Sequence, residues 1–303
     1  MPKITVFTPT YNRGKLLYHV YESLQNQTYK DFEWVVVDDG STDETERIVA
    51  EFKNEAMFPI IYKKKKNEGK HIAINEGCRL ANGEWFFIVD SDDYLTNDAL
   101  DVVNSYCSQL ENKTQFAGVV GLRGGADGKA WTEYQENSHV DAHNLQADFL
   151  KQDFWDADFI EYKYVRDIKG DRAEVVRTEI LRKYPFPKFE NEKFLVESYL
   201  WLTLANAGYQ FRWFNKVIYI TEYLEDGLTK NIEIHYRNSP VGSCKVANLL
   251  LKCKNVPMRI RLRSAYRYVK YGRLANISMI TLSKECNDKM LMPIGLGMAL
   301  VKR

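Results

Sequence analysis

Three carboxylates end an apolar run at Trp85-Phe86-Phe87-Ile88-Val89-Asp90-Ser91-Asp92-Asp93. The aromatic and branched residues predict a strand buried on both faces, and the carboxyl ends of such strands line the crevice where open parallel sheets bind ligands. Asp90 and Asp92 point to opposite sides while the strand lasts, but a turn beginning at Ser91 brings both towards one ligand. A hard divalent cation, Mg²⁺ or Mn²⁺, suits them, because it takes oxygen ligands, usually one or two carboxylates with water and substrate phosphates. An isolated D-x-D equally describes an acidic turn capping the next helix, so the metal reading depends on the company the motif keeps. A second acidic segment, Phe189 to Trp201, sets Glu190, Glu192 and Glu197 ahead of a helix with apolar Leu200, Trp201 and Leu204. Lys70 and His71 open another helix, where the dipole and both side chains favour a diphosphate or an acceptor anion. Lys63 to Lys66 reads as a solvated loop, since four adjacent lysines cannot all face one ligand.

These groups need a sheet to hold them, and the first third of the chain reads as repeated strand-then-helix units. Ile4 to Thr8 predicts a strand, and Asn12-Arg13 opens a helix with Leu16, Leu17, Val20, Tyr21 and Leu24 at helical spacing. Phe32 to Val37 predicts the second strand, after which Ser41 or Thr42 is the expected N-cap of a helix bearing Ile48, Val49 and Phe52. Ile60 to Tyr62 predicts a third strand, and Gly69 to Leu80 a helix stopped by Asn82-Gly83. Four strands alternating with three helices imply right-handed crossovers and a parallel sheet. Beyond Asp93, a helix is expected over 97–110, strands over 116–122, 156–164 and 175–176, and a short helix over 177–183. Residues 124–137, with Trp131 and Tyr134, form a loop that either covers an acceptor site or crosses the surface.

The segments Val6-Phe7-Thr8-Pro9-Thr10-Tyr11-Asn12-Arg13, Val37-Asp38-Asp39-Gly40-Ser41-Thr42-Asp43, Asn67-Glu68-Gly69 with Ala73, Asn75 and Gly77, and then D-S-D-D, follow in an order and spacing that resembles the family 2 glycosyltransferases. The resemblance is close over the first third, weaker in the middle, where it rests on the acidic segment, and absent after Asn231. It implies the GT-A fold: α/β, with a Rossmann-like, mostly parallel central sheet flanked by helices. It also implies an inverting, metal-dependent transfer from a UDP-sugar to a saccharide or lipid-linked saccharide, as in bacterial surface polysaccharide synthesis. By the same resemblance Asp39 reads the uracil, and Pro9, Thr10 and Tyr11 flank that base. Arg13, Lys70, His71, Asn75, Asp90 and Ser91 then belong to the nucleotide-sugar site, with Asp92 and Asp90 as ligands of Mn²⁺ or Mg²⁺. Inverting displacement needs a base for the acceptor hydroxyl. Family members carry an acidic pair at the start of a helix after the main sheet, which makes Glu197 the match, with Ser198 where an Asp is commoner. Glu192 is the alternative base, and Asp93 a lesser candidate placed to orient the acceptor. The bland alternative is an acidic helix start satisfied by the macrodipole.

Composition bounds the partners. With 303 residues, 45% of them hydrophobic, the chain can bury a sizeable core. A net charge of +1 argues against nucleic acid as a partner. Five cysteines without C-x-x-C spacing suggest reduced thiols and a cytoplasmic setting, and the N-terminus carries no signal-peptide pattern. Residues 258–273 hold six basic residues and no acid, with Arg259, Arg263, Arg267 and Lys270 on one face. Such a helix suits peripheral contact with an anionic membrane at the inner face of the plasma membrane, or else packs on the catalytic domain with its basic face in water. The expected division is a catalytic domain over 1–230, with a nucleotide half to about 122 and an acceptor half from 123, then a helical extension over 231–303. A sugar nucleotidyltransferase would need a Gly-rich loop after the first strand, and Pro9-Thr10-Tyr11-Asn12-Arg13 is not one. A non-catalytic nucleotide-sugar-binding homologue would bind UDP without hydrolysing or transferring a sugar.

Overall fold

In the computed structural model, which describes residues 1–130, 152–168, 170–221 and 232–301, the apolar runs near the N-terminus pair as parallel strands. β1 (Ile4–Thr10) leads through a 3₁₀ turn to α1 (Leu17–Gln25), β2 (Phe32–Asp38) to α2 (Thr45–Glu55), and β3 (Ile60–Lys64) to α3 (Lys70–Leu80) and β4 (Trp85–Ile88). The order is β3-β2-β1-β4, all parallel. Every residue of β1 and β2 is buried, because both faces are covered. Phe7, Val35, Val37 and Phe86 pack on one side; Val6, Trp34, Val36 and Phe87 pack on the other.

Past β4 the sheet becomes mixed. β5 (Tyr94–Leu95), α4 (Ala99–Ser108), β6 (Phe116–Gly124), β7 (Phe154–Ala157), β8 (Arg172–Arg177), α5 (Thr178–Lys183), α6 (Ser198–Asn206) and β9 (Gln210–Ile220) follow. β8 runs antiparallel to β4 and β6, β6 pairs parallel with β9, and β5 and β7 pair antiparallel with β9. The chain therefore has an α/β fold with helices on a sheet that is parallel in its first half.

Two local expectations change. The strand expected over 156–164 stops at Ala157. The Asp158 carboxylate accepts from the Glu161 N–H at 2.8 Å, and residues Glu161–Val165 form a single π-helical turn. Its aromatic spacing fits either period, and Tyr162 stacking on Trp213 at 3.5 Å between ring centroids selects the turn. Neither Ser41 nor Thr42 caps α2; the Asp43 carboxylate accepts from the N–H groups of Thr45 and Gly14, both at 3.1 Å, while Ser41 Oγ accepts from Asn12 N–H. Trp131 and Tyr134 lie outside the described residues.

The C-terminal part is helical: α7 (Ile232–Asn238), α8 (Pro240–Lys252), α9 (Met258–Leu274), α10 (Met279–Glu285) and α11 (Met292–Val301). Cys244, Ala247, Leu251, Ala265, Tyr268, Val269 and Leu282 form its apolar cluster, whereas Leu250, Cys253 and Val256 pack into the cluster on the sheet. All five cysteines are buried free thiols. Among the described residues no helix is long and apolar enough to cross a membrane.

Candidate active site

The chain leaves the sheet at the end of β4 through a pinned turn. Val89 N–H still donates to Phe7 O at 2.8 Å, and Asp93 N–H donates to Asp90 O at 3.2 Å. Tyr219 of β9 clasps this turn: its hydroxyl accepts from Asp90 N–H and donates to the Asp93 carboxylate, each at 2.8 Å. Asp93 is buried, and burial together with the charge of Asp90 pushes its carboxyl up to about 7 against the opposing pull of Arg123 and Tyr219. It supports the turn from inside. Ser91 is buried beside it.

The outer carboxylates face cations. Lys70, the first residue of α3, puts its ammonium 2.5 Å from Asp90 and 2.6 Å from Glu197. Burial would lower the pKa of this ammonium, but the two carboxylates outweigh it and raise it. Arg123, near the end of β6, stands 3.7 Å from Asp90 and 3.5 Å from Asp93, with its guanidinium over the Tyr219 ring. Burial alone would raise the Asp90 carboxyl; Lys70 and Arg123 bring it below the ordinary carboxylate range. Arg13 meets Asp92 at 2.6 Å. Lys70, His71, Asp90, Arg123 and Glu197 share the wall of one cavity of about 430 Å³ with Trp201 and Trp213, a volume in the range of small-molecule sites. Glu174 of β8 lines it too, its carboxyl pushed up to about 7 by burial.

The other sequence-predicted residues divide. His71 is buried, and neither ring nitrogen has a hydrogen-bond partner among the described residues; burial pushes its imidazole down to about 4, so it is neutral at neutral pH. Thr10 Oγ1, at the end of β1 after Pro9, is likewise buried without a partner, while Tyr11 is half exposed. Asp39 accepts from Lys65 Nζ, Glu68 N–H and Gly69 N–H at 2.7 to 2.9 Å, so its carboxylate clasps the loop ahead of α3. That loop ends at Gly69, whose φ is +97° and where a Cβ would lie 1.9 Å from Lys193 O. Asn75 exchanges two hydrogen bonds with the Phe186 backbone, away from the cavity. Glu192 is buried and accepts from the N–H groups of Val241 and Gly242 at the start of α8, at 2.7 and 2.9 Å. Its two oxygens are committed to that helix start, whereas Glu197 opens into the cavity.

Sequence reasoning did not single out Arg123, Glu174 or Tyr219. Arg123 left a usable signal, because it closes the apolar run of β6 as Asp90 closes that of β4. Glu174 and Tyr219 left none, since only pairing across the sheet brings them here.

The rim suits a divalent cation in kind. Asp90 and Asp92 offer oxygen only, their side chains are 22% and 18% exposed, and both already stabilise a positive group. Among the described residues no three His, Cys, Asp or Glu side chains converge into an all-protein cage. Two open carboxylates are the donor set of an ion that completes its shell with substrate phosphates and water.

The sequence profile described as Glycosyl transferase family 2 matches residues 5–158, just over half of the chain. The chain is 33% identical over 129 residues to Poly(ribitol-phosphate) beta-N-acetylglucosaminyltransferase TarP of Staphylococcus aureus (strain N315), covering 41% of this chain and only 38% of that protein. Its fold is similar to that of S. aureus TarS residues 1–349 in complex with UDP-GlcNAc (TM-score 0.54, 19% identity, 99% of this chain and 92% of that one). It is also similar to mannosyltransferase PcManGT from Pyrobaculum calidifontis in complex with GDP-Man and Mn²⁺ (TM-score 0.58, 16% identity, 100% and 88%).

Proposed function

Since the chain belongs to glycosyltransferase family 2, we propose that it is an inverting transferase that moves a sugar from a UDP-sugar to a hydroxyl of a saccharide or lipid-linked saccharide in cell-surface polysaccharide synthesis. The observation that carries this reading is Lys70: one ammonium joins the acid that ends β4 to the acid that opens α6, so the two ends of a displacement share one cavity. The likeness to TarP, together with the UDP-GlcNAc in the TarS complex, supports UDP over the GDP-Man bound by PcManGT. In this reading residues 1–122 hold the nucleotide, 123–230 the acceptor, and 231–303 form the extension.

The uracil lies against Pro9, Thr10 and Tyr11 with Asp39 at its edge. Glu197 takes the proton of the acceptor hydroxyl as that oxygen bonds to the anomeric carbon, and the diphosphate leaves from the opposite face. Lys70 and Arg123 hold positive charge beside the leaving group, and Lys70 keeps Glu197 aimed into the cavity. Asp92 and Asp90 would hold Mn²⁺ or Mg²⁺, which when bound neutralises charge on the diphosphate. Trp201, Trp213 and Phe159 give the cavity apolar walls. A lipid-linked acceptor places the reaction at the cytoplasmic face of the plasma membrane.

A panel of UDP-sugars, incubated with Mn²⁺ or with chelator, tests the reading. Slow hydrolysis of one donor, lost on chelation, is expected. Tight UDP binding with no hydrolysis or transfer across the panel would make the chain a nucleotide-sugar-binding homologue instead.

A further inference from the structure

The end of the chain carries a charge that the rest does not. Residues 254–303 hold eleven Lys and Arg against two acids, Glu285 and Asp288, a net +9, so residues 1–253 carry −8. Such asymmetry between parts of one chain points to a partner of opposite sign. The same part also exposes apolar side chains: Leu274, Ile280, Met290, Ile294 and Leu300 are each 47% or more exposed.

α11 concentrates this feature. None of its ten residues, Met-Pro-Ile-Gly-Leu-Gly-Met-Ala-Leu-Val, carries a charged or hydrogen-bonding polar side chain. Its inner face is fixed by backbone contact with α9, since a Cβ at Gly295 would lie 2.5 Å from Ala265 O. Pro293, Ile294, Gly297 and Leu300 are left facing water at helical spacing. Cations flank it. Lys284 and Lys289 are exposed in the segment leading to α11, and Arg263 and Arg273 are exposed on α9 with no ion-pair partner among the described residues. The remaining basic residues of α9 are used internally. Arg259, Arg261 and Lys270 pair with Asp167, Asp288 and Glu233, and Arg267 lies over the Tyr236 ring. Four of the six basic residues expected over 258–273 are therefore spent on packing, which leaves Arg263 and Arg273.

We propose that α11 and the exposed cations of the same C-terminal part dock on an anionic lipid surface, with Ile294 and Leu300 entering the headgroup boundary and Arg263, Arg273, Lys284 and Lys289 meeting lipid phosphates. Charge complementarity selects this occupant over a second copy of the chain, because a two-fold contact through this face would set +9 against +9. The docking does not depend on the transfer reaction.

Sedimentation of the full chain with vesicles tests it, using phosphatidylcholine alone and an equal mixture of phosphatidylcholine and phosphatidylglycerol. Binding to the mixture but not to phosphatidylcholine alone is expected, weakening as salt is raised. Ile294→Glu with Leu300→Glu lowers the partition coefficient by about ten-fold or more. Arg263→Gln with Arg273→Gln lowers it by about five-fold for each charge removed. Unchanged circular dichroism and melting temperature show that these exposed positions leave the fold intact. Equal binding to both vesicles, no binding to either, or indifference to both double substitutions overturns the proposal. Self-association that Ile294→Glu with Leu300→Glu abolishes would give the face to a second copy.

Discussion

Charge is handled in opposite ways at the two ends of this molecule. Around the β4 turn, Asp90, Asp92, Asp93 and Glu197 face Lys70, Arg13 and Arg123 at 2.5 to 3.7 Å in a largely enclosed rim. At α9 to α11, Arg263 and Arg273 face water beside bare apolar side chains. An enclosed ion must be paired, because desolvation costs several kcal/mol, whereas an exposed one is left single at little cost. The rim is thus organised inward, and changes there should register in chemistry. The C-terminal face is organised outward, and changes there should leave chemistry untouched.

The sharpest test of that contrast is Glu197→Gln, which keeps the shape of the side chain but removes proton acceptance. Turnover should fall by about 10²-fold or more while UDP affinity measured by calorimetry barely moves. Loss of both would instead mark Glu197 as a folding residue. Asp92→Asn comes next: UDP binding in the presence of Mn²⁺ should weaken by about ten-fold or more, with metal-free binding and folding preserved. Unchanged affinity would return the D-S-D-D to a plain turn.

Two smaller effects concern stability. His71 has a folded value of about 4, below the 6.5 expected when unfolded, so the unfolded chain binds the proton more readily. Its contribution is complete above pH 6.5 and is lost as the pH falls towards 4, on the order of 3 kcal/mol. Asp93 and Glu174, both raised to about 7, act in the opposite sense over an overlapping range, so the measurement is the difference in denaturant midpoint between wild type and His71→Gln across pH. A difference that does not change with pH would contradict the neutral buried imidazole. Glu192→Ala, five residues from Glu197, should lower the melting temperature through about 1 kcal/mol of lost helix-start bonding, with kcat unchanged at permissive temperature. A fall in kcat would bring Glu192 back as the base.

The parallel half of the fold was legible because its signals are local. Apolar runs mark β1, β2 and β4, and the spacing of Leu17, Val20, Tyr21 and Leu24 marks α1. The mixed half was harder, since β9 is interrupted by Asn215 and Lys216 and passes for a strand only with β5, β6 and β7 beside it. Aromatic spacing at 159–164 could not separate a strand from a turn that Trp213 selects. In the rim, Asp90 and Asp92 announced themselves by ending an apolar strand. The different uses of Glu192 and Glu197 did not, because the helix start that occupies Glu192 lies some fifty residues later in the chain.

Gly69 sets a limit on how this scaffold can be rebuilt. Its bare α-carbon lets the loop clasped by Asp39 run against the backbone of Lys193, a segment just ahead of Glu197. Any side chain there would push the Lys193 carbonyl away and, with it, the approach to Glu197. A chimaera that joins the first part of this chain to the later segment of a relative therefore inherits the contact between Gly69 and Lys193 as a seam, besides the junction itself. Such a graft should succeed only where the incoming segment can lie flat against a glycine.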